Sequence, residues 1–322
     1  MRRLAGALVV VLAVGVPAGA SGRAADSATV GDATAASVRS DFDNDGFADL
    51  AVGVPQVPHF PGIVGPGEVN VFYGGAGRLR SNGQLFTQNT PGVGGGSEPG
   101  DLFGSALATG DFDRDGFADL AIGVPGERVG GVGRAGAVNV LYGGVAGLTG
   151  SGSQFFTQNS PGVGGSAEWV DSFGTSLAAG DYDGDGFADL AVGVRLEAVG
   201  GVLEAGAVNV LYGRTSGLTG SGSQFFTQDS PGVGSSAGTF DRFGEALTAG
   251  HLDNDGFADL VIGVPGESVG SIEEAGAVNV VYGGAAGLTG SGSQFFTQDS
   301  PAVTGTAEAI DRFGQAVAAS GP

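Results

Sequence analysis

A nine-residue run of alternating carboxylates, Asp111-Phe112-Asp113-Arg114-Asp115-Gly116-Phe117-Ala118-Asp119, constrains the fold of this chain more than any other feature, because it recurs. The nonamer stands at 41–49, 111–119 and 181–189, and again at 251–259 with His251 in its first position. Since 111 − 41, 181 − 111 and 251 − 181 are each 70, the chain is an array of four units with a fixed period. Carboxylates at positions 1, 3, 5 and 9 repel one another unless a cation lies among them. Calcium accepts roughly six to eight oxygens at adaptable angles, which alternate side chains and a main-chain carbonyl can supply. The expected ligands are therefore Asp41, Asp43, Asp45 and Asp49; Asp111, Asp113, Asp115 and Asp119; Asp181, Asp183, Asp185 and Asp189; and Asp253, Asp255 and Asp259. Position 7 (Phe47, Phe117, Phe187 and Phe257) is expected to give its carbonyl, with the Phe117 ring turned into the core. A neutral imidazole is a poor calcium ligand, so three strong sites and one weaker site at the His251 loop are expected. Closure at position 9, without a Glu at position 12, separates these loops from an EF-hand.

The apolar run Leu120-Ala121-Ile122-Gly123-Val124 after the second loop ends at Pro125 and reads as a buried strand. Each period divides into four such strands. In the second copy they are Phe103–Ala108, Ala118–Val124, Val138–Tyr142 and Gln154–Thr157, with Gly and Pro between them and no helical periodicity. Four-stranded units repeated at this length indicate an all-β fold of propeller blades that bury their faces against neighbours.

The formal charge of −21 is largely a property of the loops, which hold 15 of the 34 acidic residues. All thirteen basic residues are Arg. That balance argues against nucleic acid as a partner and against electrostatic docking on anionic lipid. With no Cys, metal ions and a large core are the available stabilisers. Met1-Arg2-Arg3, the apolar stretch 4–16 and Pro17-Ala18-Gly19-Ala20 have the three parts of a secretory signal peptide cleaved after Ala20. Residues 21–34 read as a flexible lead-in and 35–320 as the repeat domain. The expected location is extracellular, with no membrane insertion after cleavage.

The pair Phe-Gly recurs at Phe103-Gly104, Phe173-Gly174, Phe243-Gly244 and Phe313-Gly314, and the second strand ends Gly-Val-Pro at 53–55, 123–125 and 263–265. With the Asp loop between them, the unit resembles the FG-GAP repeat of integrin α-subunit β-propellers. The resemblance implies a calcium ion in the loop joining the first and second strands of each blade. It also implies ligand binding on the opposite face, through the loops joining second to third strand and blade to blade. The chain departs from the family in Arg195, which replaces Pro, and in having four calcium loops where integrin propellers have seven blades. Ala33-Thr34 stands where the first Phe-Gly belongs, while Phe313–Ser320 repeats a first strand with no loop after it. Two readings stand open. In one, the C-terminal strand closes a four-bladed ring. In the other, Ala35–Ser40 is the first strand of an open array, which is compatible with a homo-oligomer.

Gly131-Val132-Gly133-Arg134-Ala135-Gly136 fits G-x-G-x-x-G but leads into a strand, so no helix N-terminus is there to hold phosphate. His59 lies in a Pro-rich connection and His251 in an Asp loop, which leaves no base for a Ser-His-Asp site, and the chain reads as non-catalytic. The blade-to-blade turns vary between copies, and Trp169 and Phe240 within them are candidate ligand contacts, with packing between blades as the alternative. The expected function is a calcium-binding adhesion module for an extracellular protein or glycan. A lectin-like propeller, the accessory propeller of an extracellular hydrolase and a truncated product are the rivals.

Overall fold

The computed structural model describes residues 9–10, 40–56, 58–60, 63–301 and 303–319. They form four antiparallel four-stranded sheets, one per 70-residue unit, with no helix among them. Blade 1 holds β1 (Val9–Val10), β2 (Leu50–Val54), β5 (Glu68–Phe72) and β6 (Gln84–Phe86). A small hairpin, β3 (Pro58–Phe60) with β4 (Ile63–Val64), lies between its second and third strands. Blade 2 holds β7 (Leu107–Gly110), β8 (Asp119–Val124), β9 (Ala137–Tyr142) and β10 (Thr149–Phe156). Blade 3 holds β11 (Phe173–Gly180), β12 (Asp189–Val194), β13 (Ala207–Tyr212) and β14 (Thr219–Phe226). Blade 4 holds β15 (Ala246–Gly250), β16 (Asp259–Val264), β17 (Ala277–Tyr282) and β18 (Thr289–Phe296).

Every residue of β8 and β12 is buried, because a neighbouring blade covers each face of these second strands. Continuous apolar runs are what a strand covered on both sides requires. Three clusters of buried residues follow, joining blades 1 and 2, 2 and 3, and 3 and 4. Among the described residues no such cluster joins blade 4 to blade 1.

The Phe-Gly pair is the device that docks one blade on the one before it. Phe103, Phe173 and Phe243 are fully buried and bridge to Gly67, Gly136 and Gly206 of the preceding blade. The Gly after each has φ between 86° and 90°, which turns its carbonyl against a Gly in the preceding blade's second strand. A Cβ at Gly53 would lie 2.0 Å from the Gly104 carbonyl oxygen, and one at Gly123 would lie 2.1 Å from that of Gly174. No side chain fits there, which explains a Gly inside each buried second strand. This also shortens the first strand expected at Phe103–Ala108. Its Phe pairs across the blade boundary, and the ladder with β8 begins only at Leu107. The fourth strand is longer than expected, because a bulge between Thr149 and Gln154 accommodates Gly150 and Gly152.

The leader expected at 1–20 and the lead-in at 21–34 lie outside the described residues, apart from β1. The backbone of β1 pairs with the inner edge of β2, Val9 opposite Gly53 and Val10 opposite Val52. At the other end, Phe313 bridges to Gly276 and the Ala319 amide donates to Thr248 Oγ1, so 313–319 docks on blade 4 as a first strand does.

At the edge away from the Asp loops, a buried amide–carboxylate pair crosses each blade boundary. Nε2 of Gln88, Gln158 and Gln228 donates to Glu127, Glu197 and Glu267 at 2.5, 2.6 and 2.5 Å. Burial pushes the Glu127 and Glu197 carboxyls up to about 7, from an ordinary 4.5. The folded chain therefore keeps protons there that the unfolded chain releases between pH 4.5 and about 7. Stability from these groups is complete below the unfolded value and is lost as pH rises through the folded one. Denaturant unfolding should show stability falling from pH 5 to 7.5. In Glu127→Gln/Glu197→Gln the fall should be shallower, and an unchanged slope would contradict the assignment.

Candidate metal loops and the opposite face

Each Asp loop joins the first and second strands of its blade, and its carboxylates divide between two tasks. The ninth residue is a backbone staple. Asp119 is fully buried, with Oδ2 accepting from the Phe112 amide at 2.8 Å and Oδ1 from the Gly143 amide at 2.9 Å. Asp49, Asp189 and Asp259 repeat both bonds with Phe42 and Gly74, Tyr182 and Gly213, and Leu252 and Gly283. The staple ties the loop start to the end of the third strand and pulls position 2 inward. The core aromatics are accordingly Phe42, Phe112 and Tyr182, all fully buried.

The ring expected in the core at position 7 is not there. Phe117 and Phe187 are half-buried and Phe47 is exposed. The reason is that position 2 already fills the core. The position-7 rings reach toward the preceding loop instead, as where Arg114 lies 5.7 Å over the Phe187 ring. Main-chain bonds link the loops as well, with the amides of Ala118, Ala188 and Ala258 donating to the carbonyls of Asp41, Asp111 and Asp181.

The remaining carboxylates gather. Ligand-capable oxygens lie within 4.8 Å of one another in Asp41, Asp43 and Asp45; in Asp111, Asp113 and Asp115; in Asp181, Asp183 and Asp189; and in Asp253, Asp255 and Asp259. In the first two clusters the ninth Asp is absent, and in the third Asp185 is. Burial raises the carboxyls of Asp111, Asp113, Asp181 and Asp183, with repulsion between neighbouring carboxylates adding to it. Oδ1 of Asp43 and Oδ1 of Asp181 are buried without a hydrogen-bond partner. Orphaned oxygens in clustered carboxylates are what a hard divalent cation satisfies, so the donor set fits one.

The first position also has a role that spacing alone does not show. Asp41 accepts from the amides of Asp45 and Gly46, and Asp111 from those of Asp115 and Gly116. His251 has no carboxylate to repeat this. Two arginines enter the loops: Arg80 pairs with Asp43 at 3.0 Å and with Asp45, and Arg214 with Asp185 at 2.5 Å.

The opposite end of each blade carries the loops between second and third strands and the blade-to-blade turns. Trp169 and Phe240 lie there and do not pack between blades, being 73% and 49% exposed. Sequence reading missed Leu203, whose carbonyl accepts from the Phe240 amide, and Ile310 at the same turn of the next repeat, which are also exposed. It also missed a strain. Val170, Phe240 and Ile310 have φ of 69°, 70° and 68°, a region that β-branched and bulky residues avoid at a cost of about 1–3 kcal/mol. Gly100 stands at the same repeat position with φ of 95° and was the available signal. Beside Trp169 is a cleft of about 360 Å³ whose lining includes Glu98, Pro99, Arg128, Gly133 and Arg134. The segment 131–136 enters β9 directly, and no helix N-terminus adjoins it. The side chain of His59 lies outside the described residues.

A family model described as FG-GAP repeat matches residues 33–77, 103–141, 173–211 and 243–281. Phosphatidylinositol-glycan-specific phospholipase D of Rattus norvegicus is 36% identical over 176 residues, which is 54% of this chain and 20% of that protein. Integrin alpha-4 of Xenopus laevis is 33% identical over 171 residues, 52% of this chain and 15% of that protein. The chain thus spans a fifth or less of the length of these relatives. Among solved structures, a rhamnogalacturonan lyase of Bacillus licheniformis covers 73% of this chain and 43% of its own, at 14% identity and a TM-score of 0.37.

The division of tasks within a loop is separable by mutation. Asp119→Ala leaves two buried amides without acceptors and should cost about 1–3 kcal/mol for each, with or without metal. Asp115→Ala, exposed, loses its bond from the Phe117 amide and should lower stability much more with metal present than without it. Denaturant unfolding with calcium and with chelator checks both.

Proposed function

The chain belongs to the FG-GAP repeat family, and from that premise we propose that it is a secreted, calcium-stabilised β-propeller acting as a non-catalytic binding module for an extracellular protein or glycan. The observation that carries the binding role is the face opposite the Asp loops. There, the exposed Trp169 precedes the strained Val170 beside a cleft flanked by Arg128 and Arg134, and Phe240 and Ile310 are exposed in strained backbone at the same turn of the next two repeats. Strain of this kind persists only where the surrounding structure imposes it, and it concentrates at binding sites. An exposed indole next to guanidinium donors suits a sugar ring or an acidic peptide equally. Export is supported by the charged, apolar and small-residue segments of Met1–Ala20. No helix among the described residues is long and apolar enough to cross a membrane.

Calcium is the cation that the loops are proposed to take. The residues that would hold it are the four Asp clusters, with the carbonyls of Phe47, Phe117, Phe187 and Phe257, and it would supply charge neutralisation where the carboxylates now repel. A second reading, an accessory propeller of an extracellular hydrolase, is favoured by the similarity to a phospholipase D. Under that reading the face opposite the loops would meet a catalytic domain.

The test of the binding role is an array of glycans and extracellular proteins probed with calcium and with chelator. A ligand retained by the native chain and weakened at least tenfold in Trp169→Ala supports the proposal. Ligands bound equally by both would remove this face from consideration. Calcium linkage is tested by melting. Extracellular calcium modules bind at roughly 10⁻⁴ to 10⁻³ M. At about ten times that concentration each occupied site adds about 1.4 kcal/mol, so three or four sites supply about 4–6 kcal/mol. Chelator should lower the melting temperature markedly, and His251→Asp should tighten the weakest site in calorimetry. A melting curve indifferent to chelator would refute the linkage.

A further inference from the structure

The two outermost faces of the described blades are the two halves of an interface that the chain already forms three times. We propose that they meet between copies, blade 4 of one chain receiving blade 1 of a second, head to tail. The inference rests on the repeat packing and is independent of the ligand and calcium readings.

Blade 4 carries the receiving half. Phe42, Phe112 and Tyr182 are fully buried under the next blade, whereas Leu252 at the same loop position is 46% exposed. Val69, Val138 and Val208 are fully buried, and Val278 is only half-buried. Phe313-Gly314 is docked as every other Phe-Gly is, and a Cβ at Gly263 would lie 2.0 Å from the Gly314 carbonyl oxygen. Yet Phe313 is half-buried where Phe103, Phe173 and Phe243 are fully buried. Among the described residues no second strand lies over Phe313.

Blade 1 carries the inserting half. Its β2 is a second strand whose partner is the two-residue β1 in place of a Phe-Gly strand. Leu50, Val52 and Val54 are half-buried, while Leu120, Ile122 and Val124 at the same positions of blade 2 are fully buried. Phe72 is 37% exposed where Leu141, Leu211 and Val281 are fully buried. Leu85 is also exposed, at the position where Phe155 packs against the core.

The register follows from blade 2, where Leu107 faces Ile122 and Thr109 faces Leu120. Across the junction Val317 would face Val52, and Ala319 would face Leu50, of the second copy. This longer, Phe-anchored strand takes the edge of β2 that β1 holds, and β1 lies within the leader proposed to be removed on export. The loop-to-loop bond from the Ala118 amide to the Asp41 carbonyl would recur from Ala48 of the second copy to His251 of the first, and it uses only main-chain atoms. A head-to-tail junction forms a ring when its rotation closes, and two copies would give eight blades, within the range propellers adopt. Two positions weaken this junction relative to the internal ones and make it dissociable: Glu68 replaces Ala137, and Val57 stands where Glu127 receives its glutamine.

Sedimentation of the full chain across a concentration series tests the proposal. Dimers or longer species should grow with concentration. Phe72→Glu and Leu252→Glu, both at exposed positions, should each sediment as monomers with unchanged circular dichroism. An equimolar mixture of the two should recover a dimer, because one intact face of each kind remains. Val278→Glu provides a second block on the blade 4 face should Leu252→Glu disturb its loop. A wild-type monomer at every concentration, as ring closure within one chain would give, overturns the proposal. So does a folded Leu252→Glu or Val278→Glu that still associates, or a mixture that stays monomeric.

Discussion

The contact of a Phe-Gly carbonyl with a glycine in the neighbouring blade is the constraint on which the rest of this structure depends. It sets the distance between blades at Gly53, Gly123, Gly193 and Gly263, where no Cβ fits. With the blades held that close, the second strands are covered on both faces, and Leu120, Leu190 and Leu260 become fully buried. A propeller blade buries too little on its own, so this contact converts four marginal sheets into one packed body. The same closeness brings Gln88, Gln158 and Gln228 onto the glutamates of the next blade, where burial raises the cost of their charge.

The Asp loops depend on that spacing in turn. Their ninth carboxylates spend both oxygens on main-chain amides, which fixes the loop to the third strand and sends the position-2 aromatic into the core between blades. Only then do the carboxylates of the earlier positions converge closely enough to repel. The charge is therefore concentrated by the fold, and a cation entering the loop relieves a tension that the packing creates. Arg80 and Arg214 relieve part of it in two of the loops.

The ends of the array show the same physics from the other side. Among the described residues no blade lies beyond blade 4, and Leu252 and Phe313 lack the cover that their repeat equivalents have; none lies before blade 1, and Phe72 and Leu85 are exposed. Repeat proteins shield such ends with polar caps. Here Glu68 supplies one charge, while the apolar pattern around it is retained.

The period, the strand pattern and the Asp spacing were legible in the sequence, because each is a local regularity that repetition confirms. A run such as Leu120–Val124 has to be buried on both faces, and a loop with carboxylates at alternate positions has to place them close together. Four sheets and four acidic clusters therefore follow from the residues alone. Which aromatic enters the core did not follow, since positions 2 and 7 are both aromatic and only the staple made by Asp119 chooses between them. Nor did the strain at Val170, Phe240 and Ile310, because a positive φ is imposed by where a turn must end. The partner of β2 was decided by tertiary structure for the same reason. Strand pairing is a contest between segments far apart in the chain, and its outcome depends on which of them the fold brings to that edge.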